Sequence, residues 1–311
     1  MDRILCDELL EEVLRRLPPR STFSPSAADV SLVSKRWLRL YRSSVSDVSL
    51  SLSVDNCTPP SLSSFLPRFP HLSFLKITTA AHRSVTSDIP ALRYRILSPD
   101  DISAFAEQVL LSVASSCPKL TESFQFAKLD LGLPFELEDN HLLAVAEKFR
   151  GLLSLRLDNC CLVTGEGLKT MALAMSNNLE ELALRCCKVE PGLLTILGQS
   201  FRNLRKLDLS FSDILADKEF ISMLASCNCL RELKVRGCDG STRASVVSMF
   251  RSCKQLESVD IMCCSGIDSE AVELFVLCCA SLREIHVEEC KLSDISRSWA
   301  SIKFVRLLFD W

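Results

Sequence analysis

The sequence predicts an α/β solenoid, with parallel strands on a concave face and helices on a convex face, preceded by a small all-helical segment. Three observations lead there. A short apolar phrase restarts every 25 to 27 residues between Leu152 and Val287. Between its copies, apolar residues recur at helical rather than strand spacing. Residues 1–45 follow a different period from everything after them.

In the phrase, an apolar residue is followed three and five positions later by two more. It runs Leu152, Leu155 and Leu157; Leu179, Leu182 and Leu184; Leu204, Leu207 and Leu209; Leu230, Leu233 and Val235; Leu256, Val259 and Ile261; and Leu282, Ile285 and Val287. Along a short strand these residues point one way, and the polar residues between them point the other. A unit of this size cannot bury its apolar face alone. Successive units therefore stack, each strand pairing in parallel with the next, and share one core. Eight positions after the first apolar residue stands Cys160, Cys187, Cys238, Cys264 or Cys290, with Ser212 once in their place. This is the leucine-rich-repeat signature in its cysteine form.

Helical returns are expected between the phrases. Leu168, Met171 and Ala172; Leu193, Leu194, Ile196 and Leu197; Phe220, Ile221 and Leu224; Val246, Val247 and Phe250; and Ala271, Val272, Phe275 and Val276 each give a helix one buried stripe. A second set of cysteines, Cys117, Cys227, Cys253 and Cys279, stands three residues before a strand's first leucine. A small thiol suits such a corner and can donate to a neighbouring carbonyl.

The repeat domain is expected over residues 46–311. Residues 46–150 read as irregular repeats: Leu50 and Leu52 alternate as a first strand, Leu72, Leu75 and Ile77 match the phrase, and Phe124 and Phe126 follow the Cys117 corner one residue late. The stretch 78–99 reads as an insertion loop. Residues 151–295 are the regular array. In the terminal cap, 296–311, Ile302, Val305 and Leu307 repeat the phrase, and aromatic residues including Trp299, Phe304 and Trp311 are expected to seal the open end of the core.

In residues 1–45, Leu5, Leu9, Leu10, Val13, Leu14 and Leu17 recur at helical spacing, with acidic residues early and Arg15 and Arg16 late, as the helix dipole favours. Pro18 and Pro19 end this helix and Arg20 to Ala28 form a loop. Asp29 is expected to cap a second helical segment carrying Val30, Leu32, Val33, Trp37, Leu38 and Tyr41. Helices this short make no stable core alone, so their spare apolar surface must dock on something. One reading is a cap that seals the first repeat.

A second reading comes from the wording of this segment. Leu5-Cys6-Asp7-Glu8-Leu9-Leu10, continuing through Val13, Leu17 and Pro18, and then Ser31-Leu32-Val33-Ser34-Lys35-Arg36-Trp37, together resemble the F-box motif. That family opens on Leu-Pro-x-Glu, continues as an apolar helix and closes on Leu-Val-x-Lys-x-Trp. With the repeats, the chain resembles plant-type F-box/leucine-rich-repeat proteins over nearly its whole length. The resemblance implies a substrate receptor of an SCF-type cullin-RING ubiquitin ligase. The F-box would bind a Skp-family adaptor and, through it, a cullin; the repeats would hold a protein substrate for ubiquitin conjugation and proteasomal degradation. It assigns Leu5, Leu9, Leu10, Val13, Leu17, Pro18, Leu32, Val33 and Trp37 to adaptor-facing or F-box-core positions, without separating the two. Cys6 stands where the family usually has proline, which removes a fixed backbone angle at the helix start. The 19–28 loop is longer than the usual connection.

Composition narrows the function classes. Of 311 residues, 48% are hydrophobic and 24% charged, ordinary for a soluble chain. Its 36 basic and 39 acidic side chains are interspersed, so no stripe of one sign asks for nucleic acid. Acidic residues break the first apolar runs, and no stretch reaches the roughly 18 apolar residues of a membrane span. A cytoplasmic or nuclear protein is expected, with its 16 cysteines as free thiols. Four adjacent cysteine pairs occur, such as Cys160-Cys161 and Cys263-Cys264, but no C-x-x-C, so no metal site is expected, and no cofactor. His286, the histidine of the regular array, has no evident acid partner in its sequence neighbourhood. With no nucleophile–base set and no phosphate loop, a non-catalytic protein is expected.

The middle polar strand positions, Arg156, Ala183, Asp208, Lys234, Asp260 and His286, should line the concave face, the usual binding face of such solenoids. Signs alternate along it, which suits a protein ligand better than a polyanion. Arg156, Arg185 and Arg236 are the candidate substrate anchors, since arginine is enriched at interface hot spots. An adaptor-independent protein-binding scaffold using the same face is the alternative function.

Overall fold

The computed structural model describes residues 6–15, 33–52, 62, 64–79, 107–111, 113–115, 127–132, 137–175, 178–187, 189–190, 192–212 and 217–309. Among them, ten strands form one sheet in chain order, every adjacent pair parallel. They are β1 (Asp47–Leu52), β2 (Phe74–Thr79), β3 (Ala127–Gly132), β4 (Leu152–Asp158), β5 (Glu181–Arg185), β6 (Lys206–Asp208), β7 (Glu232–Lys234), β8 (Ser258–Asp260), β9 (Glu284–His286) and β10 (Arg306–Leu308). Parallel neighbours need a crossover. It is supplied here by α3 (Asp139–Lys148), α4 (Gly165–Ala174), α5 (Leu193–Ser200), α6 (Asp217–Ser226), α7 (Arg243–Ser252), α8 (Ser269–Cys278) and α9 (Asp294–Lys303). Ahead of the sheet stand α1 (Asp7–Arg15) and α2 (Lys35–Ser44).

The pairing register stacks equivalent residues. Leu155, Leu182, Leu207, Leu233, Val259 and Ile285 face one another in succession, all fully buried. They belong to one continuous core that runs from Val48 to Val305. Each buried leucine is worth about 1.5–3 kcal/mol against exposure, a gain realised only when a neighbouring turn covers it.

Two ladders of small polar groups line the corners. After each strand, Cys160 donates to the Leu131 carbonyl (3.7 Å), Cys187 to Leu157 (3.7 Å), Ser212 to Leu184 (3.0 Å), Cys238 to Leu209 (3.1 Å) and Cys264 to Val235 (3.0 Å). Each links one turn to the turn before. Cys290 does not extend the series. Asp294 starts its helix seven positions after Val287, where Ser269 starts eight after Ile261, and the shortened return forms a 3₁₀ turn that carries Cys290 to solvent. Before the strands, Cys227, Cys253 and Cys279 are buried, and Phe69, Phe149 and Phe201 fill the equivalent corner elsewhere. On the helical side, Asp139 accepts from the backbone and hydroxyl of Thr164 one repeat later (2.8 and 2.6 Å), and Asp217 accepts from Thr242 (2.5 Å) and Ser245.

The first strand runs through Leu50 and Leu52 as expected, and adds Val48, which pairs with Leu75 as Leu50 does with Ile77. Other sequence expectations need correction. The third strand begins at Ala127 and carries Leu129 and Leu131 inward, in register with Leu75 and Ile77. Phe124, Phe126, Cys117 and nearly all of the 78–99 stretch lie outside the described residues. Ser34 caps α2: it is extended and accepts from the Trp37 amide at 3.2 Å, so no helix runs continuously from residue 30 to 41; Asp29 lies outside the described residues. At the far end Ala300 and Val305 close the core, whereas Trp299, Ile302 and Phe304 face outward, Phe304 being 90% exposed. Phe304 adopts a left-handed conformation at the end of α9, which turns its ring away from the array.

Candidate protein-interaction surfaces

The amino-terminal helices build a small core of their own. Leu10 and Leu14 of α1 meet Leu40 and Tyr41 of α2, with Trp37 and Val45 packed against them. Val45 also touches the repeat core, joining the two clusters. Asp7, the first residue of α1, accepts from Arg36 Nε at 2.7 Å and pairs with its Nη2 at 2.6 Å, a two-pronged clamp between helices far apart in sequence. Cys6 sits at the start of α1, its carbonyl accepting from the Leu10 amide at 3.1 Å, so the helix begins without a proline.

This packing divides the apolar residues of the segment into covered and uncovered ones. Leu10 is buried and Trp37 half-buried against the small core, whereas Leu9, Val13 and Val33 are 57%, 51% and 57% exposed. Leu9 and Val13, four apart, share one face of α1. Leu5, Leu17, Pro18 and Leu32 lie outside the described residues. Leu40 and the Asp7–Arg36 clamp were missed in the sequence; the helical spacing of Trp37, Leu40 and Tyr41 was the available signal for the first.

On the concave face the polar rows run in register. Lys76, Asp130, Arg156, Ala183, Asp208, Lys234, Asp260 and His286 occupy successive turns of the middle row. Most charges here find partners within the face. Lys76 pairs with Asp130 (3.0 Å), Lys206 and Lys234 both with Glu232 (3.0 Å each), and Arg306 with Glu284 (2.8 Å). Burial works against ionised Glu232, but the two lysine ammonium groups outweigh it and hold the carboxyl below its ordinary range.

The three candidate arginines do not converge. Arg156 donates through Nε to Glu181 at 2.9 Å; burial opposes its charge, and Glu181, with Asp130 and Asp208, more than restores it, so the guanidinium is held above its ordinary value. Arg185 lies between Asp158 (3.8 Å) and Asp208 (3.7 Å). Arg236 reaches Asp260 at 3.1 Å and places Nη2 3.2 Å from the Met262 sulfur. His286, contrary to the sequence expectation, has an acid partner: Nε2 lies 3.1 Å from Glu284 Oε1, two residues away on the same strand face. Over Ala183, the small residue of the middle row, a notch of about 30 Å³ opens between Arg156, Glu181, Asp208 and Lys234. That volume holds about one water.

No family model matches the chain. Among solved structures, it resembles a chain of the Rad7 and Elc1 complex from yeast, at 16% identity and a TM-score of 0.56, covering 94% of this chain and 81% of that one. It also resembles LegL7, a leucine-rich-repeat-containing protein of Legionella pneumophila, at 13% identity and a TM-score of 0.56, over 93% of this chain and 87% of the other. The fold is a leucine-rich-repeat solenoid. At these identities the likeness speaks for architecture alone. Among the described residues, no helix is long and apolar enough to cross a membrane.

Proposed function

We propose that the protein is a non-catalytic receptor subunit of an SCF-type ubiquitin ligase, binding a Skp-family adaptor through α1 and α2 and a protein substrate on the concave face. One observation carries the reading: Leu9, Val13 and Val33 stay exposed although the helices beneath them have a core and a clamp of their own. A cap serving only the first repeat would turn those side chains inward. The similar yeast chain was solved within a complex of two proteins, Rad7 and Elc1, and the proposal gives this chain an arrangement of the same kind. The mutually paired charges of the concave face fit a partner that offers its own mixed polar surface, and contribute binding and proximity rather than chemistry.

The test is association of the purified protein with a Skp-family adaptor, measured by calorimetry beside Leu9→Asp and Val13→Asp, both exposed. Tight binding weakened at least about tenfold, 1.4 kcal/mol, in each variant is expected. No binding by folded wild-type protein would replace this reading with an adaptor-independent scaffold.

A further inference from the structure

Helix α2 has two working faces. Trp37, Leu40 and Tyr41 turn toward α1, and the opposite face carries Lys35, Leu38, Arg39 and Arg42. That second face looks across a groove of about 450 Å³ at Pro67, Arg68 and Pro70 of the first repeat. Lys35, Arg39 and Arg42 are spaced i, i+4, i+7, so their cations line one wall over about 10 Å. Arg68 stands on the other wall, its Nε donating to the Ser64 carbonyl at 2.9 Å.

What sets the groove apart is uncompensated charge. On the concave face most cations have a carboxylate from a neighbouring turn. Here Arg39 reaches Asp7 at 3.6 Å, but Asp7 is already engaged by Arg36, and Lys35, Arg42 and Arg68 form no ion pair among the described residues. Like charges held within about 8 Å, the screening length at physiological salt, repel one another until an anion joins them. Between these cations the lining is mostly apolar, with Leu38 on one side and the two proline rings on the other.

We propose that this groove is a docking site for an acidic segment of a partner protein, in which two or three carboxylates flank an apolar side chain. The carboxylates meet the arginines and Lys35, and the apolar side chain covers Leu38 and the prolines. A span of about 10 Å accommodates three residues of extended chain. A nucleic acid backbone would satisfy the cations but leave Leu38 and the prolines without a matching group. The site goes beyond the adaptor reading, because it lies on the face of α2 turned away from α1.

Fluorescence anisotropy with a labelled peptide of alternating glutamate and leucine tests the proposal, using the full-length protein. The wild type should bind it, and Lys35→Glu with Arg42→Glu should weaken binding about tenfold or more, as should Arg68→Glu alone on the facing wall. Leu9→Asp, on α1, should leave peptide binding unchanged, so loss of adaptor binding and loss of peptide binding are separable. Circular dichroism checks that each variant is folded. The proposal is overturned by absence of binding, by wild-type affinity in the variants, by equal affinity for a lysine–leucine peptide, or by tighter binding of an oligothymidine strand, which would mark a polyanion site.

Discussion

Replacing Arg236 with alanine separates a binding role from a structural one on the concave face. Asp260 is the sensitive partner. Its side chain is only 10% exposed, and it receives Arg236 Nε at 3.1 and 3.4 Å and the Met262 amide at 3.1 Å. Removing the guanidinium leaves a nearly buried carboxylate with the Met262 amide still in place. A charge-assisted hydrogen bond lost at such a site costs about 1.5–3 kcal/mol. Arg185 is the internal comparison: 46% exposed, with contacts of 3.7 and 3.8 Å, it should cost less than about 1 kcal/mol on truncation. Thermal unfolding followed by circular dichroism should therefore show Arg236→Ala melting about 3–12 °C lower, at roughly 2–4 °C per kcal/mol, and Arg185→Ala less than about 4 °C below wild type. Adding Asp260→Asn to Arg236→Ala removes the stranded charge and should recover part of the loss. Equal melting of the two arginine variants would refute the account. If it holds, Arg185→Ala is the clean probe of the proposed substrate binding, because it changes the face without loosening the array.

Two further outcomes are expected. Gly237 has φ +67°, and a Cβ there would fall 2.6 Å from the Phe211 ring, so Gly237→Ala should cost about 1–2 kcal/mol in backbone strain and more through the ring; urea titration of the variant with and without Phe211→Ala should show that the ring's share disappears in the double variant, and additive effects would exclude the clash. Burial pushes the Cys238 and Cys253 thiols up to about 12 and Cys227 and Cys264 to about 11, from 9.0. The unfolded thiols lose their protons first, so stability should fall as pH rises from about 9 toward 11, by on the order of 1 kcal/mol per thiol at pH 10. Cys238→Ser, which copies the hydroxyl that Ser212 already uses in the same ladder, should flatten that fall; an unchanged pH slope would show that Cys238 plays no part in it.

The repeat spacing, the inward rows and the thiol ladder were legible because each depends on residues within one unit: a strand alternates faces and a tight corner selects a small side chain, whatever the neighbours are. Where the spacing drifted, local pattern misled. Nothing near Phe124 and Phe126 announces that Leu129 and Leu131 are the inward pair; pairing with Leu75 and Ile77, more than fifty residues earlier, decides it. The same holds at Cys290, where a return one residue shorter breaks a ladder that the sequence continues. In the amino-terminal segment, apolar periodicity marked Leu9, Leu10 and Val13 alike, and only the packing of α1 on α2 divides them into covered and uncovered residues. The arginines of the concave face were visible as positions, but their carboxylate partners come from adjacent turns, about 25 residues away in a solenoid of this repeat length. The basic groove is further from local pattern still, since one wall is a helix face and the other a turn beyond the first strand. The sequence by itself determined the period, the handing of residues to inner and outer faces, and hence the solenoid, because those follow from local geometry. Which charges are cancelled and which left open was decided only by tertiary structure, because cancellation is a property of distance between units.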